Sequence, residues 1–248
     1  MGSLQGQNVV VVGGSQGVGR SIVEAAHREG ASVLAVARGE IALLQLTSQV
    51  SGVHILMADA TEDTAPVEVF SALAPDVLVI CAGAPAASVP LQDQTWKDFS
   101  ANWETDVRAS FLFCQAALRA PLKPGTRIIV MSSGGALTGG PPFAGGYSGS
   151  KRMQMFLAGH CQKESDRLGL GLRFMALAPM GIMPGTGVGD GGIEGFVAYT
   201  GAKADDLLAS MTHKQTPADV ARAVVELATA VPDGCYFSVS GAGLACAS

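Results

Sequence analysis

With 248 residues, 48% apolar and 15% charged, the chain is long enough for a large core and too poor in charge to leave its whole surface to water, so a homo-oligomer is expected. A net charge of -5 without a lysine or arginine cluster excludes nucleic acid as the main partner, and no apolar run approaches the ~18 residues of a membrane span. Cys81, Cys114, Cys161, Cys235 and Cys246 fall in no metal-ligand spacing, and no charged leader precedes an apolar run. A cytoplasmic protein with reduced, mostly buried thiols and no metal is expected.

Asn8 to Val12 is a compact β-branched run of the kind that forms a buried parallel strand. Gly13-Gly14-Ser15-Gln16-Gly17-Val18-Gly19 follows, and Arg20 to Glu29 reads as a helix ended by Gly30. Glycines let a ligand approach the backbone, and free N–H groups at a helix start favour negative charge, so this turn is a candidate phosphate site. A plain tight turn is the alternative. Ser32 to Val36 reads as the second strand. Many dinucleotide folds hold an acid near its end, to accept from the ribose 2′-OH. Here Ala37 and Arg38 stand there, and the next acid along the chain is Glu40. A guanidinium suits a 2′-phosphate, with Ser15 as a second contact, so NADP(H) is expected over NAD(H). A solvated loop arginine is the alternative.

Ile41 to Gln49 reads as helix and Val53 to Met57 as strand, followed by Asp59-Ala60. Asp59 is a candidate acceptor for an adenine amino group, or a cap. Val67 to Leu73 reads as helix. Asp76 to Ile80 reads as strand, and the small residues of Cys81-Ala82-Gly83-Ala84 let a flat ligand lie against the backbone. Gln94 to Ala120 reads as a long helical region around Trp96, Phe99, Trp103, Val107, Phe111 and Leu118, ended by Pro121. Arg127 to Met131 reads as strand, with Ser132 and Ser133 at its end, where parallel sheets bind ligands. Leu172 to Ala178 is the next expected strand, leading into Pro179-Met180-Gly181-Ile182. The glycine-dense stretch from Gly185 to Gly192 opens an expected lid, about residues 184–212. Its Phe196, Tyr199 and Met211 favour an apolar or aromatic carbonyl compound. Pro217 to Ala230 reads as helix with Thr216 as N-cap, and Cys235 to Val239 as the last strand. This alternation predicts an α/β fold, a single-domain doubly wound parallel sheet (Rossmann-type) with helices on both faces.

Tyr147-Ser148-Gly149-Ser150-Lys151 opens a segment that reads as helix to about Leu168. Residues four apart share a helix face, so Tyr147 and Lys151 can point into one pocket. A free phenol titrates near ~10, and a nearby ammonium favours the phenolate, so the pair is a candidate general acid/base. The apolar stripe of this helix is expected to be Met153, Phe156, Leu157 and His160 or Cys161, turned away from the pair.

Taken together, these motifs resemble the short-chain dehydrogenase/reductase family over nearly the whole chain. The glycine turn at Gly13, Gly17 and Gly19, Asp59 after the third strand, Ala82-Gly83 after the fourth, Ser133, Tyr147, Lys151 and Pro179-Met180-Gly181 are similar to its motifs. The resemblance implies hydride exchange between NAD(P) and a small-molecule carbonyl or alcohol. Ser133 would hold the carbonyl oxygen and Tyr147 donate the proton. Lys151 would assist Tyr147 and contact the nicotinamide ribose. Gly13, Ser15, Gln16, Gly17, Val18, Gly19, Arg38, Asp59, Ala60, Ala82, Gly83, Tyr147, Lys151, Pro179, Gly181 and Ile182 would bind the cofactor. It also implies a tetramer or dimer. Val12 departs from the family's threonine, and Ile80 and Cys81 from its two asparagines. Asp106, counted back from Phe111, stands where the family has an asparagine that supports a proton-relay water partly through its backbone carbonyl; Asn102 is the other candidate, at a spacing from Phe111 that is too long. An alcohol dehydrogenase working oxidatively, a catalytically idle dinucleotide-binding regulator and a structural oligomer subunit are the alternative functions.

Overall fold

A computed structural model describes residues 2–87, 89–210, 215–230 and 233–247. In chain order the elements are β1 (Asn8–Val12), α1 (Gly17–Arg28), β2 (Ser32–Ala37), α2 (Glu40–Gln49), β3 (His54–Met57), α3 (Ala65–Ala72) and β4 (Val77–Ile80). Then come α4 (Trp96–Asn102), α5 (Arg108–Arg119), β5 (Arg127–Met131), α6 (Gly135–Thr138), α7 (Gly145–Leu168) and β6 (Arg173–Pro179). The chain closes with α8 (Gly187–Thr200), α9 (Ala204–Ser210), α10 (Pro217–Thr229), β7 (Tyr236–Ser240) and β8 (Gly243–Cys246).

The strands form one sheet in the order β3-β2-β1-β4-β5-β6-β7-β8, parallel except for the β7–β8 pair. Strand order reverses between β1 and β4, the crevice where such folds take ligands. In β1, Val9 and Val11 pack against α1, α2 and α10, while Val10 and Val12 pack against α3, α5 and α7. Both faces are therefore dry, which is why the strand is all valine rather than alternating. Burying each such side chain contributes roughly 1.5–3 kcal/mol. The register pairs Val12 with both Val36 and Ile80, so the loops after β1, β2 and β4 emerge side by side.

Three expectations need correction. The antiparallel β8 follows β7, so Cys235 to Val239 does not hold the last strand. The long helical region is as expected, and it contains a π-helical turn over Trp103–Val107, between α4 and α5. Only part of the apolar stripe expected on α7 is buried, at Leu157 and Cys161, with Met153 half-buried. Phe156 is exposed and stacks on exposed His160, whereas Ser150, Lys151, Gln154, Met155, Ala158, Cys161, Gln162 and Ser165 lie inside with Leu157. The buried glutamines are hydrogen-bonded: Gln154 donates to the Asp106 carbonyl and the Ser110 hydroxyl, and Gln162 donates to the Leu172 carbonyl. The cysteines are also less buried than expected, with Cys114 and Cys161 inside, Cys81 and Cys235 half-buried and Cys246 exposed.

The glycine-dense stretch is ordered as a helix. Thr186 caps α8 by accepting from the Gly189 N–H, and α9 follows. Met211 and Thr212, the end of the expected lid, lie outside the described residues.

Candidate active site

The carboxyl ends of the strands surround a cavity of about 880 Å³, at the upper end of what small-molecule sites occupy. Every candidate site residue except Asp106 and Asn102 lines it.

One wall is the turn between β1 and α1. Gly13 has φ +86°, and a Cβ there would stand 2.6 Å from the Ala82 N, so only glycine lets this turn pack against the loop after β4. A Cβ on Gly19 would stand 2.0 Å from the Gly13 carbonyl oxygen, which brings the start of α1 tight against the turn. The first turn of α1 holds no acidic residue, and Gln16 makes no side-chain cap. Its amides are thus free to receive an anion, and the donor set fits the pyrophosphate of a dinucleotide.

At the far end of that wall Arg38 is largely exposed, with Nη1 3.8 Å from Asp59 Oδ2. The parallel pairing of Ala37 with Met57 brings the two together, so a carboxylate lies beside Arg38 much closer in space than Glu40 suggests. Asp59 is also a local cap: Oδ1 accepts from the Thr61 N–H at 2.9 Å and its hydroxyl at 2.8 Å. These bonds, with Arg38, hold the Asp59 carboxyl below the usual carboxylate range.

The opposite wall carries Ser133 and Tyr147. The two adjacent serines diverge. Ser132 is buried and donates to the Lys151 carbonyl at 2.9 Å, whereas the Ser133 hydroxyl lines the cavity and accepts only weakly, from the Gly135 N–H at 3.3 Å. Tyr147, in the first turn of α7, is half-buried on the cavity wall. Lys151 follows one turn later and is 6% exposed. Its Nζ lies 5.5 Å from the centroid of the Tyr147 ring and donates to the Met131 carbonyl at 3.3 Å.

Asp106 is fully buried, with Oδ2 3.0 Å from Lys151 Nζ. That contact is charge against charge rather than a well-aligned hydrogen bond. Its Oδ1 accepts from the Ala84 N–H at 2.9 Å and the Thr105 hydroxyl at 2.7 Å. Its backbone carbonyl, expected to face a relay water, accepts instead from Ser110 Oγ at 2.8 Å and Gln154 Nε2 at 3.1 Å. Both lone pairs are thereby used, and the side chain is what reaches the lysine. Burial disfavours the ammonium, but the Asp106 carboxylate, then Tyr147, override it and raise Lys151 above the ordinary lysine value. Burial also pushes the Cys81 thiol up to about 11, so it stands in the cavity wall as a neutral group.

Several contributors escaped the sequence reading. Gln215 donates to the Val239 carbonyl and accepts from the Gly181 N–H, fixing the Pro179–Ile182 turn. Gln154 locks Asp106 and Ser110, and Asn102, set aside on spacing as the other candidate for the family's asparagine, donates to the Ala84 carbonyl at 2.8 Å, a contact the spacing did not reveal. None belongs to a local motif, since each acts across a long sequence separation. Thr186 could have been found as a hydroxyl residue opening a glycine-rich helix, and it lines the cavity beside Gly17.

A glycine turn at an open helix start and Ser133, Tyr147 and Lys151 stand around one cavity, the arrangement expected of a dinucleotide-dependent oxidoreductase. The profile of the short chain dehydrogenases matches residues 7–190. A short chain dehydrogenase of Pseudocercospora fijiensis is 32% identical over 241 residues, covering 90% of this chain and 76% of its own. The chain belongs to the short-chain dehydrogenase/reductase family, and it is an NAD(P)-dependent oxidoreductase acting on CH–OH/C=O groups. Similarity extends to human L-xylulose reductase, 29% identical over 49% of this chain and 50% of that one, and to pig carbonyl reductase [NADPH] 2, 27% identical over 50% of each. The match thus spans about half the length of these two reductases.

Proposed function

We propose that the protein is an NADP(H)-dependent reductase of ketones or aldehydes with Tyr147 as proton donor. The observation that carries this reading is the ammonium of Lys151 held behind the Tyr147 ring, with Ser133 on the same cavity wall. Bound NADPH supplies the hydride that reaches the carbonyl carbon. Ser133 donates to the carbonyl oxygen and fixes its orientation. Tyr147 passes its phenolic proton to that oxygen as charge develops there, and the Lys151 cation balances the phenolate left behind. Asp106 acts through Lys151 and does not touch substrate.

For the cofactor, the amides of Gly17 to Gly19 would receive the pyrophosphate, Arg38 and Ser15 the 2′-phosphate, and Asp59 with Ala60 the adenine side. Ala82, Gly83 and the Pro179–Ile182 turn would hold the nicotinamide end. The name of the pig relative supports the NADPH reading. We further read residues 1–248 as one dinucleotide-binding domain with its lid near residues 184–212. It works as a homo-oligomer in the cytoplasm, where its five free cysteines stay reduced. Among the described residues no helix is long and apolar enough to cross a membrane. The test is a panel of ketones and aldehydes assayed with NADPH and with NADH. Turnover favouring NADPH supports the reading, and no turnover of any carbonyl with either cofactor refutes it.

A further inference from the structure

Beyond Tyr147 and Ser133, the cavity is closed by α8 and by the loop after β4. The two press together so closely that a Cβ on Gly191 would stand 3.2 Å from the Pro85 Cβ. Phe143, Phe196, Met180, Met183 and Val188 line this part. Among the described residues the charged side chains on the cavity wall are Arg38, Asp59 and Lys151, all in the cofactor half.

Two glycines of α8 stand out there. Gly189 is explained by packing, because a Cβ would stand 2.0 Å from the Met183 carbonyl oxygen. Gly187 and Gly192 are not. Neither has a positive φ, and a Cβ on either would meet nothing within 4 Å. Both line the cavity. Gly187 is the exposed first residue of α8, but Gly192 lies inside the helix, where glycine is less stable than alanine, so neither backbone geometry nor packing accounts for it. What Gly192 leaves is open cavity against bare helix backbone. The cavity that includes this space is lined by Phe143 and Phe196, which suits an uncharged aromatic ligand.

We propose that Gly192 is a specificity-determining residue that makes room for a broad, uncharged aromatic ketone, a fused or biaryl ring system lying flat on α8. This rests on the reductase reading of the same cavity, and binding measurements separate the two. Calorimetry on the enzyme with NADP⁺ bound would titrate α-tetralone, a bicyclic ketone, and butanone. Wild type binds α-tetralone at least about tenfold tighter, as burial of the larger apolar surface requires. Gly192→Val weakens α-tetralone about tenfold or more and leaves butanone within about twofold. Gly192→Ala melts at or above the wild-type temperature, since a helix gains from the exchange. Equal loss for both ketones, no preference in wild type, or a lower melting temperature for Gly192→Ala would overturn the proposal. Selective binding without turnover would leave the inference standing and remove the reductase reading.

Discussion

Replacing Asp106 by asparagine tests the least expected feature of the site. The Lys151–Asp106 contact is 3.0 Å, with side chains 8% and 0% exposed. At that distance Coulomb attraction is about 5–6 kcal/mol for an effective dielectric of about 20, and desolvation of both groups offsets much of it. Stranding one partner of a buried pair costs about 3–5 kcal/mol. Asparagine has one acceptor oxygen, but donors approach from both sides: Ala84 N–H and Thr105 Oγ at one end, the lysine at the other. Either orientation of the amide sets a donor against a donor. Because the amide keeps half of the contacts, the expected loss is about 2–4 kcal/mol at neutral pH. The pH dependence follows from the raised Lys151 value. Stability from the pair is fully present below the ordinary lysine value of ~10.4 and is lost as pH rises through the raised folded value. Urea unfolding of both proteins from about pH 7 upward should therefore show a gap that closes in alkali. In the variant the lysine loses its counter-charge, so the alkaline limb of the pH–rate profile should move to lower pH, while neutral activity falls by less than about 100-fold. Equal stability at neutral pH, or an unmoved alkaline limb, would refute the reasoning.

Two other predictions concern the cofactor and the surface. Arg38→Ala should remove most of a preference for NADPH of roughly tenfold, the low end for charge-assisted contacts because Asp59 already faces the guanidinium and solvent screens it. Specificity constants at fixed salt measure this, and an equal effect on both cofactors would make Arg38 a solvated loop residue. Trp103, Phe111 and Phe156 are exposed on α5, α7 and the π-helical turn, so light scattering at micromolar concentration should give a multiple of the 25.2 kDa chain mass. A monomer mass would exclude the oligomer.

Much of this architecture is written locally. Valine runs at the sheet centre, a glycine turn before α1 and Thr216 before α10 each mark their elements through backbone geometry and capping that a short stretch decides alone. What was illegible depends on contacts distant in sequence. Arg38 meets Asp59 only because β2 and β3 pair in a particular register. Asp106 reaches Lys151 only because the π-helical turn faces α7. The buried face of α7 was misread because its glutamines and serines are satisfied by partners elsewhere, which hydrophobic periodicity does not register. For α8, five glycines argue against helix, and the Thr186 cap and close packing at Gly189 outweigh them.

The most direct test of the account is the rate of NADPH-dependent ketone reduction by Tyr147→Phe, measured beside its affinity for NADPH. The ring and its place above Lys151 remain, so cofactor affinity and melting temperature should stay near wild type. Only the transferable proton is removed, and turnover should fall by roughly 10²- to 10⁴-fold. A Tyr147→Phe enzyme that binds NADPH normally and reduces the ketone at the wild-type rate would contradict the assignment of Tyr147 as proton donor.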